Sequence, residues 1–161
     1  MDTIESTVDR DDRTLTFVTV FEAPPERVWQ VWEDPRQLER WWGPPTWPAT
    51  FTRHEVEPGG ESRYHMTGPD GEKAPGWWRT IAVDAPHRYE FEDGFSTDDG
   101  EPDTSMPSMH MVITLEADGP TTRMTVVASY ASVDDLDKVL GMGMREGMTG
   151  ALSQVPALLA A

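Results

Sequence analysis

Between residues 14 and 22 the side chains alternate as in a strand. Leu15, Phe17 and Phe21 fall on one face, Val18 and Val20 on the other, and the segment is rich in β-branched and aromatic residues. Ala23-Pro24-Pro25 breaks the alternation, and the period then changes. Val28, Trp29, Val31 and Trp32 recur at helical spacing. Pro25 suits a first helical turn, where its missing N–H would have no partner. The spacing predicts a short amphipathic helix over 25–33. Asp34-Pro35 ends it, and Pro35 opens a second short helix through Leu38, Trp41 and Trp42, closed by Gly43-Pro44-Pro45.

Strand signals separated by turn residues follow at 49–57, 61–67, 76–84, 87–92, 109–115 and 121–131. Gly68-Pro69-Asp70-Gly71 marks a hairpin. Met109, Met111, Ile113 and Leu115 share one strand face, as do Met124, Val126, Ala128 and Tyr130. The acidic stretch 93–107, with its Gly, Ser and Pro, reads as a flexible loop. From Val133 the period becomes helical again, and the pattern predicts one long helix of roughly 25 residues. It holds Gly141, Gly143, Gly147 and Gly150, each costing about 1 kcal/mol against alanine, so close packing on the sheet is expected. Pro156 kinks its last turns. The order predicts an α+β fold. An antiparallel sheet curves around a long C-terminal helix, and the two short helices plug one end. Residues 1–12 read as a flexible N-terminal leader and 13–161 as a single domain.

Composition narrows the functional classes. The 161 residues carry no cysteine, which removes disulfides, thiolate nucleophiles and Cys-ligated metals. The formal charge is −16, and only Lys73 and Lys138 are lysines beside eleven arginines. That balance argues against nucleic acid and against anionic membrane surfaces as partners. No apolar run approaches the roughly 20 residues of a membrane span. The polar N-terminus does not read as a secretory signal, so a cytoplasmic location is the expectation.

Three segments carry a resemblance: FEAPPERVWQVWEDPRQLERWWGP at 21–44, VEPGGESRYHMTGPDG at 56–71 and GMGMREGMTGALSQVPALLA at 141–160. In this order they resemble the START-like (SRPBCC) superfamily, and within it the standalone bacterial homologues of the heat-shock protein 90 ATPase activator. The likeness spans about residues 14–160. It implies a helix-grip fold with a cavity between sheet and C-terminal helix. The acidic stretch 93–107 departs from the family pattern at a place where a loop would border the cavity mouth. The chaperone activator works with a separate N-terminal domain, which this chain does not contain, so a chaperone partner is not expected.

The candidate chemistry is sparse. No Gly-x-Ser-x-Gly elbow occurs, His54, His65, His87 and His110 lack metal-ligand spacing, and no glycine-rich loop follows a strand. No metal or other cofactor is therefore expected. Acid/base candidates are Arg53, Glu55, Tyr64, Arg79, Glu90, His110 and Glu146. Given the fold that the resemblance implies, Trp42, Phe51, Tyr64, Met66, Trp78, Phe91, Met109, Met111 and Met144 are the expected cavity lining, with methionine suited to variable apolar guests. Trp29 and Trp32 read as structural anchors, and Trp41-Trp42-Gly43 as the part nearest a pocket. Trp77 and Trp78 take opposite strand faces, and an outward Trp77 would make a homodimer contact. The functional expectation is binding of a small hydrophobic or amphipathic molecule. The alternatives are a cyclase- or dehydratase-type enzyme with acid/base residues in the cavity, and a protein–protein module with a packed core.

Overall fold

The computed structural model describes residues 4–160. Eight strands form one antiparallel sheet: β1 (Glu5–Asp9), β2 (Thr14–Phe21), β3 (Ala49–His54), β4 (Glu61–Thr67), β5 (Lys73–Asp84), β6 (Arg88–Phe95), β7 (Met109–Asp118) and β8 (Thr121–Ser129). Their order across the sheet is β1-β2-β8-β7-β6-β5-β4-β3. Between β2 and β3 lie α1 (Pro25–Glu33) and α2 (Pro35–Leu38). The C-terminal segment holds α3 (Val133–Gly141), α4 (Met144–Leu152) and α5 (Val155–Leu159).

The period-two pattern decides which face is covered. Leu15, Phe17 and Phe21 of β2, Tyr89 and Phe91 of β6, and Met109, Met111, Ile113 and Leu115 of β7 all turn inward, as do Met124, Val126 and Ala128 of β8. Irregularities at Phe51/Arg53 and at Thr80/Ala82 interrupt the ladders at the β3–β4–β5 end of the sheet. Such bulges bend a strand and increase its twist, which helps a sheet curl around what it covers.

Helix α1 packs on β7, β8 and α5, and α2 packs on β3. Asp34 serves both short helices. It ends α1, and its side chain accepts from the Arg36 N–H as the cap of α2. Trp32 sits at the centre of the plug and is fully buried. Its ring meets Trp41 at 4.7 Å, edge-on, and lies within 6.4 Å of Trp42, Trp78, Tyr89 and Phe91. The N-terminal half of the tryptophan-rich segment is thus core, as expected for Trp29 and Trp32.

Two expectations are corrected. Residues 1–12, read as a leader, supply β1 within their described part, while residues 1–3 lie outside the described residues. Glu5-Ser6-Thr7-Val8-Asp9 has too little apolar character to announce a strand. It is held by its ladder to β2 and by Arg145 of α4, which donates to the Ser6 hydroxyl and carbonyl at 2.7 and 2.8 Å. The C-terminal helix is also not continuous. Gly143 takes φ +86°, a left-handed conformation that stops α3 and caps α4, and a second break follows at Ser153-Gln154. The glycines that looked like packing contacts include this backbone break. Among the described residues no helix is long and apolar enough to cross a membrane.

Candidate functional site

Helices α3 and α4 pack on each other, and their backbones approach the sheet less closely than that of α1. Between them and the sheet lies a cavity of about 300 Å³, bordered by Trp42, Gly43, Pro44 and Trp47 from the loop after α2, and by Met142, Met144, Gly147, Met148 and Ala151 at and beyond the helix break. The sheet contributes Tyr64, Met66, Asp93, Phe95 and Met109. This volume is at the lower end of small-molecule sites.

Five of the nine expected lining residues border the cavity: Trp42, Tyr64, Met66, Met109 and Met144. The other four do not. Phe51, Trp78, Phe91 and Met111 are on the predicted inner face but lie in the packed core behind the wall, each at most 1% exposed. Alternation identifies the face of a strand, not how far along it the helices stop covering it. Three of these four still shape the site from behind. Phe51 stacks on Tyr64 at 5.0 Å, and Trp78 meets Trp42 edge-on at 4.8 Å while stacking on Phe91 at 4.2 Å. Of the Trp41-Trp42 pair only Trp42 reaches the cavity. Trp41 turns inward and donates to the Val31 carbonyl.

Asp93 is the cavity residue that sequence reasoning missed. Its strand was expected to end at residue 92, with Asp93 opening a loop; instead β6 runs to Phe95. The signal was present, because Asp93 continues the inward series Tyr89, Phe91. The side chain is 5% exposed and accepts from the Tyr64 hydroxyl at 3.2 Å. Among the described residues no other side chain donates to it with good geometry. Burial pushes the carboxyl up to about 7, the Tyr64 hydrogen bond pulls the other way, and the neighbouring Glu92 charge adds to the rise. Burial, and then the Asp93 charge, also raise the Tyr64 phenol well above its ordinary value. The Trp42 and Trp78 indole N–H groups lie beside this pair and favour its charged forms, yet neither completes a well-formed hydrogen bond.

Of the seven acid/base candidates only Tyr64 belongs to the cavity. Arg53 pairs with Glu55 and Glu61 on the sheet surface, Glu90 pairs with Arg88 and His110, Arg79 lies over the Trp77 ring, and Glu146 is exposed. Trp77, considered as a dimer contact, is half-buried across Gly94 and donates to the Phe95 carbonyl. Among the described residues no three His, Cys, Asp or Glu side chains converge as a metal site.

Gly76 is what lets Tyr64 lie flat on β5. A Cβ there would sit 2.4 Å from the phenol ring. Gly76→Ala should cost about 1–3 kcal/mol in a denaturant midpoint, the usual penalty for overpacking. The same change placed in a Tyr64→Ala background should cost almost nothing. Equal costs in both backgrounds would mean that the ring is not what demands the glycine.

Residues 22–160 match the family described as Activator of Hsp90 ATPase homolog 1-like protein. Among solved structures, a protein from Arthrobacter aurescens superposes with a TM-score of 0.94 at 46% identity, covering 97% of this chain and 91% of that one. Protein Ms6760 from Mycobacterium smegmatis gives 0.90 at 46% identity, with 99% and 97% covered. A Staphylococcus epidermidis protein gives 0.83 at 27%, with 96% and 93% covered. No curated protein matches the chain.

Proposed function

The chain belongs to the Activator of Hsp90 ATPase homolog 1-like family with its START-like, helix-grip fold, and from that premise we propose that it binds a small hydrophobic or amphipathic molecule between the sheet and the C-terminal helices. The observation that carries this reading is the cavity, walled by aromatic and methionine side chains and holding one hydrogen-bonded polar pair, the half-buried Tyr64 and the buried Asp93. Apolar walls with few convergent polar groups are the usual make-up of a small-molecule site.

Gly147 offers a clean test. It faces the cavity from α4, and a Cβ built on it meets nothing within 4 Å. Gly147→Leu should therefore fill the cavity without a clash and remove a helix penalty of about 1 kcal/mol. The native protein should enhance the fluorescence of N-phenyl-1-naphthylamine, a neutral apolar dye. The variant should not, while melting at the same temperature or higher. Equal dye uptake by both proteins, or uptake by neither, would count against the proposal.

One observation favours a second reading, acid/base catalysis of cyclase or dehydratase type. Tyr64 and Asp93 converge in the cavity with shifted titration, the signature expected of a proton-transfer pair. Turnover that is lost in Asp93→Asn with ligand binding retained would distinguish the enzyme from the binder. The protein–protein reading gains no such support. Among the described residues the exposed large apolar side chains, Val20, Ile81, Val133 and Met142, are scattered over β2, β5, the start of α3 and its end, and form no common patch.

A further inference from the structure

The charge pattern inside the cavity is one-sided. Among its lining residues there is no lysine, arginine or histidine, and the groups that titrate are Tyr64 and Asp93. A buried carboxylate normally has a cationic partner or several donors. Asp93 has one phenol, on Oδ1. Its neighbours give it no cation. Tyr64 faces it from β4, Glu92 adjoins it on β6, and Tyr130 beyond β8 lies close enough for the Asp93 charge to raise its phenol. On the other sides, β5 presents Trp78, β7 presents Met109, and α3 and α4 present Val139, Met144 and Met148.

The cavity that Asp93 borders also has aromatic walls. Trp42 meets Tyr64 edge-on at 6.3 Å, and Trp47 also borders the cavity. An aromatic wall in the same cavity adds attraction for a cation that reaches a ring face. An anionic guest would instead bring its charge to Asp93. The whole chain, at −16, also attracts cations and repels anions.

We propose that the cavity selects hydrophobic amines, with the ammonium on the Asp93 carboxylate beside Trp42 and Tyr64 and the hydrocarbon part among the methionines. This rests on the ligand-binding reading and names the chemistry of its guest. A protonated amine supplies the partner that Asp93 lacks, and its charge-assisted hydrogen bond exceeds what a neutral hydroxyl gives. Binding holds Asp93 ionised, so amine affinity falls as pH drops below about 7, where the empty site takes up a proton.

The test is a matched series of phenylbutylamine, phenylbutanol and phenylbutyrate, titrated calorimetrically at pH 8 and pH 5.5. At pH 8 the amine should bind about tenfold or more tightly than the alcohol, as one stronger hydrogen bond allows, and the carboxylate should bind least. The amine's advantage should shrink at pH 5.5 and vanish in Asp93→Asn, with alcohol affinity kept within about threefold. Gly147→Leu should block all three. Equal affinities for amine and alcohol, or a preference for the carboxylate, would overturn the amine assignment while leaving the cavity a binding site. If none of the three binds and the neutral dye is also excluded, the ligand-binding reading falls with it.

Discussion

Replacing Trp32 by alanine is expected to cost the protein about 3–5 kcal/mol, the range for deleting a buried large aromatic side chain. Trp32 has no solvent exposure and is ringed by Trp41, Trp42, Trp78, Tyr89 and Phe91. Its N–H points to the Met124 sulfur at 3.3 Å, so it joins α1 to β8 as well as to the strands on the other side. Truncation leaves a hole among aromatic rings too rigid to collapse into it. Domains of this kind are stable by roughly 5–15 kcal/mol, so about a fifth of the total or more goes with one side chain. Chemical denaturation of Trp32→Ala and Trp32→Phe would measure it, with the phenylalanine recovering a large part. A loss below about 1 kcal/mol would mean that the plug is held elsewhere.

The second large effect concerns pH. The native state holds the Asp93 proton up to about 7, whereas an unperturbed aspartate releases it at 3.8. Between those values the folded protein binds the proton and the unfolded chain does not, so stability falls as pH rises through the window and levels off above it. The full difference corresponds to about 4 kcal/mol. Asp93→Asn keeps the shape without the charge. It should match the native protein near pH 4 and exceed it by up to that amount at pH 8, in urea midpoints taken across the range. His54 opposes this trend, because burial holds its imidazole below 6.5 and unfolding there takes up a proton. Taking the difference between the two proteins removes that contribution. A native-minus-variant difference that does not change with pH would show that Asp93 is not buried as a charge.

These two residues also show what the amino-acid order reveals and where it stops. Trp32 was legible as an anchor because helical spacing put it beside Val28, Trp29 and Val31. The inward faces of β2, β7 and β8 were legible from strict alternation. Asp93 was obscured by its company: the acidic, glycine-rich run after it made residue 93 look like the start of a loop, and a charged residue at an inward position looks like a strand's end. The ladder to β5, pairing Asp93 with Trp78, is a non-local fact that extends the strand regardless of composition. Likewise β1 draws its strand character from β2 and Arg145, both distant in sequence. Phe51, Trp78, Phe91 and Met111 had the right face but the wrong depth. Depth depends on where the helices cover the sheet, a long-range fact that alternation along one strand does not carry.

If the cavity binds a guest as proposed, its walls divide the work of discrimination. The sheet supplies its polarity, through Tyr64 on β4 and Asp93 on β6, while α4 supplies most of its adjustable volume, through Met144, Gly147, Met148 and Ala151. A codon change at one of those helix positions alters the cavity's size and leaves the hydrogen-bonded ladders untouched. On the binding proposal, guest size is thus set along a single helix and recognition of charge on the strands.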